Sequence, residues 1–336
     1  LGVEYHRSVV VEDAVSGVQA GQKGAFGLVI GIAREENSRE LLLNGADIVV
    51  DDLQEIGIDR INAWFEKGLE DDKWSITYHA YEPSKERTRE ALLAVGNGYF
   101  GTRGAMEETD SNQVNNPGTY IAGLYNRLAS KVGDRMVENE DFVNVPNWLP
   151  VNFKIDNGDW FDFNKAEFTD FKKRLNFKNG VFCRHMVVVD EQGRKTEIVS
   201  RRMASMANPH QAAIQYKLTP LNYSGQITIC SGINGDIIND GVERYKQLNQ
   251  QHLKPGFQGA LDNLVWVSVE TTQSAVHVAE AAHHRVFIDG HELKVNGTPV
   301  IEPARAYLMF EIQAEKGKEL LLEKAASIYT SKHDDV

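Results

Sequence analysis

Apolar positions along the chain follow two different rules. Near the start, strand-like and helix-like runs alternate. Ser8-Val9-Val10-Val11 is a continuous β-branched run, the form taken by strands buried on both faces of a parallel sheet. Glu12 and Asp13 end it. Asp13 stands where it can cap a helix from Ala14 to Lys23, which Gly24 closes, and Val15 and Val18 give that helix an apolar edge. Phe26 to Ile32 reads as a second strand, Asn37 to Leu43 as a short helix closed by Asn44-Gly45, and Ile48-Val49-Val50 as a third strand. The pattern predicts an α/β, Rossmann-like fragment. Three short strands and two helices bury too little surface to stand alone, so further strands outside these residues are expected. A helix over Ile61–Leu69 and the acidic run Glu70-Asp71-Asp72 then suggest a boundary, with one domain over 1–70 and another over 71–336.

Beyond that boundary the period shortens to two. Val151 to Ile155, Val181 to Val189, Ala213 to Leu218, Gln226 to Cys230, Leu264 to Val269 and Tyr307 to Ile312 are short alternating runs. Turn signals separate several of them: Asp156-Asn157-Gly158, Asn179-Gly180, Ser224-Gly225 and Asn296-Gly297. This spacing predicts a large, mainly antiparallel β-sandwich.

Composition narrows the function. The 336 residues carry a formal net charge of -12, which disfavours a nucleic-acid partner. Two cysteines, Cys183 and Cys230, do not make a disulfide framework, and a reducing, cytoplasmic setting is expected. No signal peptide is visible, and no apolar run approaches the roughly 20 residues needed to span a bilayer, so no membrane partner is expected.

Gly96-Asn97-Gly98-Tyr99-Phe100-Gly101 spells a dinucleotide fingerprint but lacks its context. Glu86 to Ala94 before it reads as helix rather than strand, and Thr102-Arg103-Gly104 after it breaks any helix. A tight turn is the expected structure. Cys183 and His185 share a strand face without two further ligands, so no zinc site is expected. His283 and His284 point to opposite faces of a strand, an awkward arrangement for binding one metal together.

Glu12 and Asp13 stand at the carboxyl end of a parallel strand, where open α/β sheets place ligands and where paired acids can hold Mg²⁺. On spacing alone, Asp13 caps a helix and Glu12 is exposed. The longer string Val9 to Gly21 (VVVEDAVSGVQAG), with Gly31-Ile32-Ala33-Arg34 and Gly45 to Asp51, resembles the β-phosphoglucomutase-like branch of the haloacid-dehalogenase superfamily. The resemblance implies a Mg²⁺ role for Glu12 and Asp13. That family's nucleophilic aspartate and phosphate-binding lysine come earlier than this acidic pair, and only eleven residues precede Glu12, so weak metal binding is the expectation.

Glu90 to Glu108 (EALLAVGNGYFGTRGAMEE), then Pro117 to Tyr125 (PGTYIAGLY), then Val143 to Leu149 (VNVPNWL) resemble the N-terminal domain of glycoside hydrolase family 65, the family of maltose, trehalose and kojibiose phosphorylases. The resemblance implies a galactose mutarotase-like β-supersandwich followed, in such proteins, by a helical barrel that carries the catalytic acid and the phosphate site. It therefore assigns no catalytic residue to this chain. It implies disaccharide and phosphosugar substrates, inorganic phosphate as co-substrate, and a possible homodimer. Together the two resemblances suggest a phosphorylase fused to a phosphoglucomutase. A carbohydrate-binding or oligomerisation module and the N-domain of a trehalase-type hydrolase are the alternatives. Arg103, Glu107 and Glu108 can face a substrate cleft or an interface, or form a buried ion pair, which is the favoured role. Trp148 can offer a sugar-stacking face or act as a packing anchor.

Overall fold

The computed structural model describes all residues except 1, 2, 4, 35, 36, 68–73, 133, 164, 240–247 and 333–336. The acidic run at 70–72 therefore lies outside the described residues. The chain divides into two compact units, Leu1–Ser75 and Ile76–Val336.

The first unit is a parallel sheet covered on both faces. Its elements are β1 (Val9–Glu12), α1 (Val15–Lys23), β2 (Leu28–Ile32), α2 (Ser38–Leu43), β3 (Ile48–Val50) and α3 (Ile58–Lys67). The strands run in order β1-β2-β3, with Val10 beside Val29 and Ile30 beside Ile48. Alternate side chains serve the two faces, as strand geometry requires. Val18 and Leu41, from α1 and α2, pack with Val29 and Ala46 on one side. Ile61, Trp64 and Phe65 of α3 pack with Leu28, Ile30 and Val50 on the other. Trp64 Nε1 donates to Gly27 O at 2.8 Å, which fixes α3 to the start of β2.

Asp13 does not cap α1. Ala14 holds the N-cap position and no side chain accepts a bond there. The Asp13 carboxylate instead meets the Arg34 guanidinium at 3.0 Å, across the end of the sheet. An ion pair with a basic residue from the next strand's loop has displaced the local cap.

The second unit is antiparallel. It contains β4 (Ser75–Tyr78), α4 (Glu86–Leu92), β5 (Val95–Gly96), β6 (Phe100–Thr102), β7 (Thr119–Val132), β8 (Arg135–Val145), β9 (Val151–Ile155), β10 (Glu167–Asn176), β11 (Val181–Val189), β12 (Lys195–Ala204), β13 (Gln211–Pro220) and β14 (Gly225–Asn234). After these come β15 (Leu253–Leu261), β16 (Leu264–Thr271), β17 (His277–Ile288), β18 (His291–Leu293), β19 (Thr298–Glu302), β20 (Arg305–Ala314) and β21 (Leu320–Thr330). A large sheet runs β15-β16-β17-β21-β13-β12-β11-β10-β4, with β18 on β17. Two smaller sheets run β19-β20-β14-β9 and β5-β6-β7-β8.

One core joins the three sheets. Met186, Ile198, Ile214 and Leu322 come from the large sheet, Phe153, Ile229 and Phe310 from the second, and Ile121 and Val143 from the third. The period-two reading is visible in β13, where buried residues alternate with more exposed ones along its whole length. The sheet structure also starts earlier than the alternating runs suggested, at β4 to β8. The glycine-rich segment is the tight hairpin between β5 and β6. Gly98 takes φ +87°, and Asn97 Oδ1 accepts from the Tyr99 and Phe100 amides at 3.1 and 3.2 Å. No helix among the described residues is long and apolar enough to cross a membrane.

Candidate functional site

Two of the charged residues singled out in the sequence, Glu107 and Glu108, meet a row that only the sheet register creates. Lys173 of β10 pairs with Arg184 of β11, Arg184 with Ser200 of β12, and Ser200 with Tyr216 of β13. Directly opposed residues on neighbouring strands share a face. All four side chains are buried. Acids from the segment that includes α4 and the loop after β6 come down onto this row.

Glu108 receives a bidentate fork from Arg184, at 2.6 and 2.7 Å, and a hydrogen bond from the Tyr216 hydroxyl. Glu107 lies 2.9 Å from the same guanidinium, accepts from Ser200 Oγ at 2.8 Å, and meets Arg202 at 3.5 Å. Arg202 also donates to the carbonyls of Ala105 and Arg103, at 3.0 and 3.3 Å. Lys173 Nζ donates to Glu86 at 2.5 Å. Arg89 pairs with Glu86 and Glu82 and donates to Ala80 O. Arg103 reaches Glu90 at 3.5 Å and donates to Arg87 O at 2.6 Å, while the Asn116 amide donates to Glu90 at 2.9 Å.

Protonation follows from these partners. Burial by itself would raise Glu107, but Arg184, Arg202 and the Ser200 hydroxyl hold its carboxyl below the usual range. Burial disfavours the charged Arg184, yet Glu108 and Glu107 more than offset it and its pKa rises. For Arg202 burial wins over the longer contact with Glu107, and its pKa falls, although a guanidinium stays charged. Burial lowers Lys173 despite Glu86, and raises Glu90 despite the Asn116 amide and Arg103.

A general acid must hold a proton near neutral pH and reach its substrate. Glu107 is held ionised. Glu90 is raised, but its side chain is closed off from solvent within this unit. The arrangement suits anchorage: it ties the segment from α4 to Thr109 onto four strands of the large sheet.

Trp148 is fully buried and its indole faces pack in the core. Its Nε1 donates to Thr102 Oγ1 at 3.0 Å, and that oxygen lies 3.1 Å from Thr119 Oγ1. Replacing Trp148 by phenylalanine is expected to cost about 1–3 kcal/mol through lost volume and the lost bond, read by urea unfolding.

In the first unit, Glu12 ends β1 with its carboxylate against Gly17 of α1, and Asp13 is held by Arg34. Among the described residues no group of three or more His, Cys, Asp or Glu stands together as a metal site. The pair as placed does not fit a closed Mg²⁺ site, which takes about six oxygen ligands.

Sequence reasoning missed Lys173, Arg184, Ser200, Arg202 and Tyr216. A signal was available at Arg184, a charge between the inward-facing Phe182 and Met186 of an apolar strand.

Residues 76–336 match glycosyl hydrolase family 65, N-terminal domain. The chain belongs to this family. It is 35% identical over 262 residues to an uncharacterized glycosyl hydrolase of Mycobacterium tuberculosis, covering 78% of this chain and 20% of the relative. It is 29% identical over 274 residues to the kojibiose phosphorylase of Caldanaerobacter subterraneus subsp. tengcongensis, covering 80% and 34%. It is 27% identical over 278 residues to the alpha,alpha-trehalose phosphorylase of Thermoanaerobacter brockii, covering 78% and 35%. A solved structure described as a candidate kojibiose phosphorylase from the human microbiome superposes with TM-score 0.68 at 18% identity, over 81% of this chain and 34% of that one, a likeness of fold. The chain thus spans a fifth to about a third of these relatives' length. Within the family 65 N-terminal domain, the buried row and its acids all lie inside the matched residues.

Proposed function

We propose that this chain supplies the non-catalytic N-terminal sandwich of a disaccharide phosphorylase, of the kojibiose, trehalose or maltose type, that uses inorganic phosphate. The match of residues 76–336 to the family 65 N-terminal domain carries this reading, because the relatives named for an activity are phosphorylases. The pairing of Glu107 and Glu108 with arginine supports it, since neither carboxylate is free to protonate a glycosidic oxygen.

For residues 1–75 the reading is a mutase-like piece. Its supports are the parallel order β1-β2-β3 and the acidic pair at the carboxyl end of β1. Phosphorolysis that inverts an α-linked disaccharide releases β-glucose 1-phosphate, which such a mutase would convert to glucose 6-phosphate. That chemistry would give such a fusion a purpose.

The test is phosphorolysis of maltose, trehalose and kojibiose, following glucose 1-phosphate. The 336-residue chain is expected to give none, and the full gene product that carries it to give phosphate-dependent release. Turnover by the chain alone, or glucose release by the full product without phosphate, would overturn the reading.

A further inference from the structure

Away from the buried row, one concave surface is built from different side chains. It lies at an end of the sandwich, between the segment that follows β9 and the turn joining β11 to β12. Its volume is about 310 Å³. That is near the lower end of the roughly 300–1,000 Å³ of small-molecule sites, and suits a single sugar ring.

Trp160 forms one side. It is 38% exposed, although its neighbours are fixed. Phe161 stacks on Phe153 with centroids 5.3 Å apart and meets Phe163 at 5.0 Å. The Phe161 amide donates to Phe153 O at 2.9 Å, and Asn152 Nδ2 donates to Phe161 O at 3.1 Å. The indole is therefore presented outward from an anchored backbone. The wall opposite is also held. Arg194 Nε donates to Asp190 at 2.7 Å, its Nη1 donates to Asp156 at 3.1 Å, and its guanidinium lies over the Tyr223 ring. Asn157, Asp162 and Gln192 complete the rim.

This combination has a chemical reading. A pyranose offers an apolar C–H face to an aromatic ring and hydroxyls at its edge to planar polar groups. Charge narrows the class. Asp159, Asp162, Asp190 and Glu191 line the surface against Lys154, Lys165 and Arg194, and Arg194 is already neutralised by Asp156 and Asp190. A phosphorylated sugar is repelled by that balance. Lys154 Nζ lies over one face of the Trp160 ring, 5.4 Å from its centroid, and its charge disfavours a ligand cation beside it.

We propose that this pocket binds one ring of a neutral sugar, with Trp160 stacking on the ring and Asn157, Asp162 and Gln192 meeting its hydroxyls. The inference rests on the pocket's own chemistry and stands apart from the phosphorolysis reading, since binding is measured on this chain whatever reaction the longer protein performs.

The experiment is titration calorimetry, with saturation-transfer NMR, of the 336-residue chain against glucose, maltose and kojibiose. Saturable binding with a dissociation constant on the order of 1 mM is expected. Trp160→Ala is expected to weaken it at least about tenfold, with Trp160→Phe, which keeps an aromatic face and most of the buried surface, intermediate. Gln192→Ala, in an exposed turn, is the second variant and is expected to weaken binding several-fold. Absence of saturable binding, binding indifferent to both substitutions, or tighter binding of glucose 6-phosphate or choline than of glucose would overturn the proposal.

Discussion

Replacing Arg184 by alanine is expected to destabilise the sandwich by about 3–5 kcal/mol, the cost of leaving buried charges without their partner. The geometry explains why Arg184 outranks its neighbours. It bridges Glu107 and Glu108, and it supplies the two guanidinium bonds of the fork on Glu108. After its removal Glu107 retains Arg202 and Ser200, whereas Glu108 retains only the Tyr216 hydroxyl among the contacts described above. Arg184→Lys is expected to lose less, since the charge remains, but a single ammonium cannot reproduce the fork. Tyr216→Phe removes one neutral donor to a charge and is expected to cost about 1.5–3 kcal/mol. The informative comparison is a double variant, Arg184→Met with Glu108→Met. Replacing both members by apolar groups of similar size removes the desolvation penalty on each side, so the double variant should recover much of the loss. Urea unfolding of the unaltered chain, Arg184→Met, Glu108→Met and the double variant measures this. A double variant as unstable as the sum of its single changes would show that the pair is not the source of the cost.

The second large effect concerns a carboxyl that has no such partner. Glu280 of β17 points inward, beside Val267 of β16 and Ile328 of β21, and neither of its carboxylate oxygens has a hydrogen-bond partner among the described residues. Burial pushes its pKa well above the ordinary 4.5, and Lys324 only partly counters this. The folded state therefore keeps a proton that the unfolded chain releases. Where the unfolded state binds fewer protons, stability falls as pH rises. Glu280 thus costs nothing through ionisation below the ordinary carboxylate range. Above it, stability declines by about 1.4 kcal/mol per pH unit until the folded group itself titrates.

Lys324 acts in a higher window and with the opposite sign. Burial holds it at about 7 against an ordinary 10.5, so the unfolded chain binds more protons between those values and stability rises there with pH. Glu280→Met removes the first contribution, and it also takes from Lys324 one of the acids that hold its pKa up against burial. The variant's stability advantage over the unaltered chain is expected to be small at pH 4.5 and to widen steadily toward pH 7, as followed by urea unfolding across that range. Two pH profiles that run parallel would place the proton elsewhere.

These two predictions share a pattern that is present in the sequence. Arg184 lies between Phe182 and Met186, Glu280 between Val278 and Ala282, and Lys324 between Leu322 and Ala326, each on the buried side of an alternating strand. A charge at an inward position marks a buried polar site, though not its partner. Trp160 gave a weaker signal: only the turn at Asp156-Asn157-Gly158 was legible, and the pocket beside it depends on the β11–β12 turn.

Local periodicity determined the strands. Val151–Ile155, Val181–Val189 and Ile48–Val50 have the bounds that their apolar patterns suggest, because alternation and β-branching act over neighbouring residues. The linked segments from Glu90 to Leu149 likewise carried the resemblance to the family that residues 76–336 match. Local grammar failed at Asp13, where a cap was expected and a loop arginine took the carboxylate. It was silent on the row Lys173-Arg184-Ser200-Tyr216, whose members meet only when four strands lie side by side in one register. Charge pairing in an interior depends on which strand is whose neighbour, and long-range antiparallel pairing decides that where a two-residue repeat cannot.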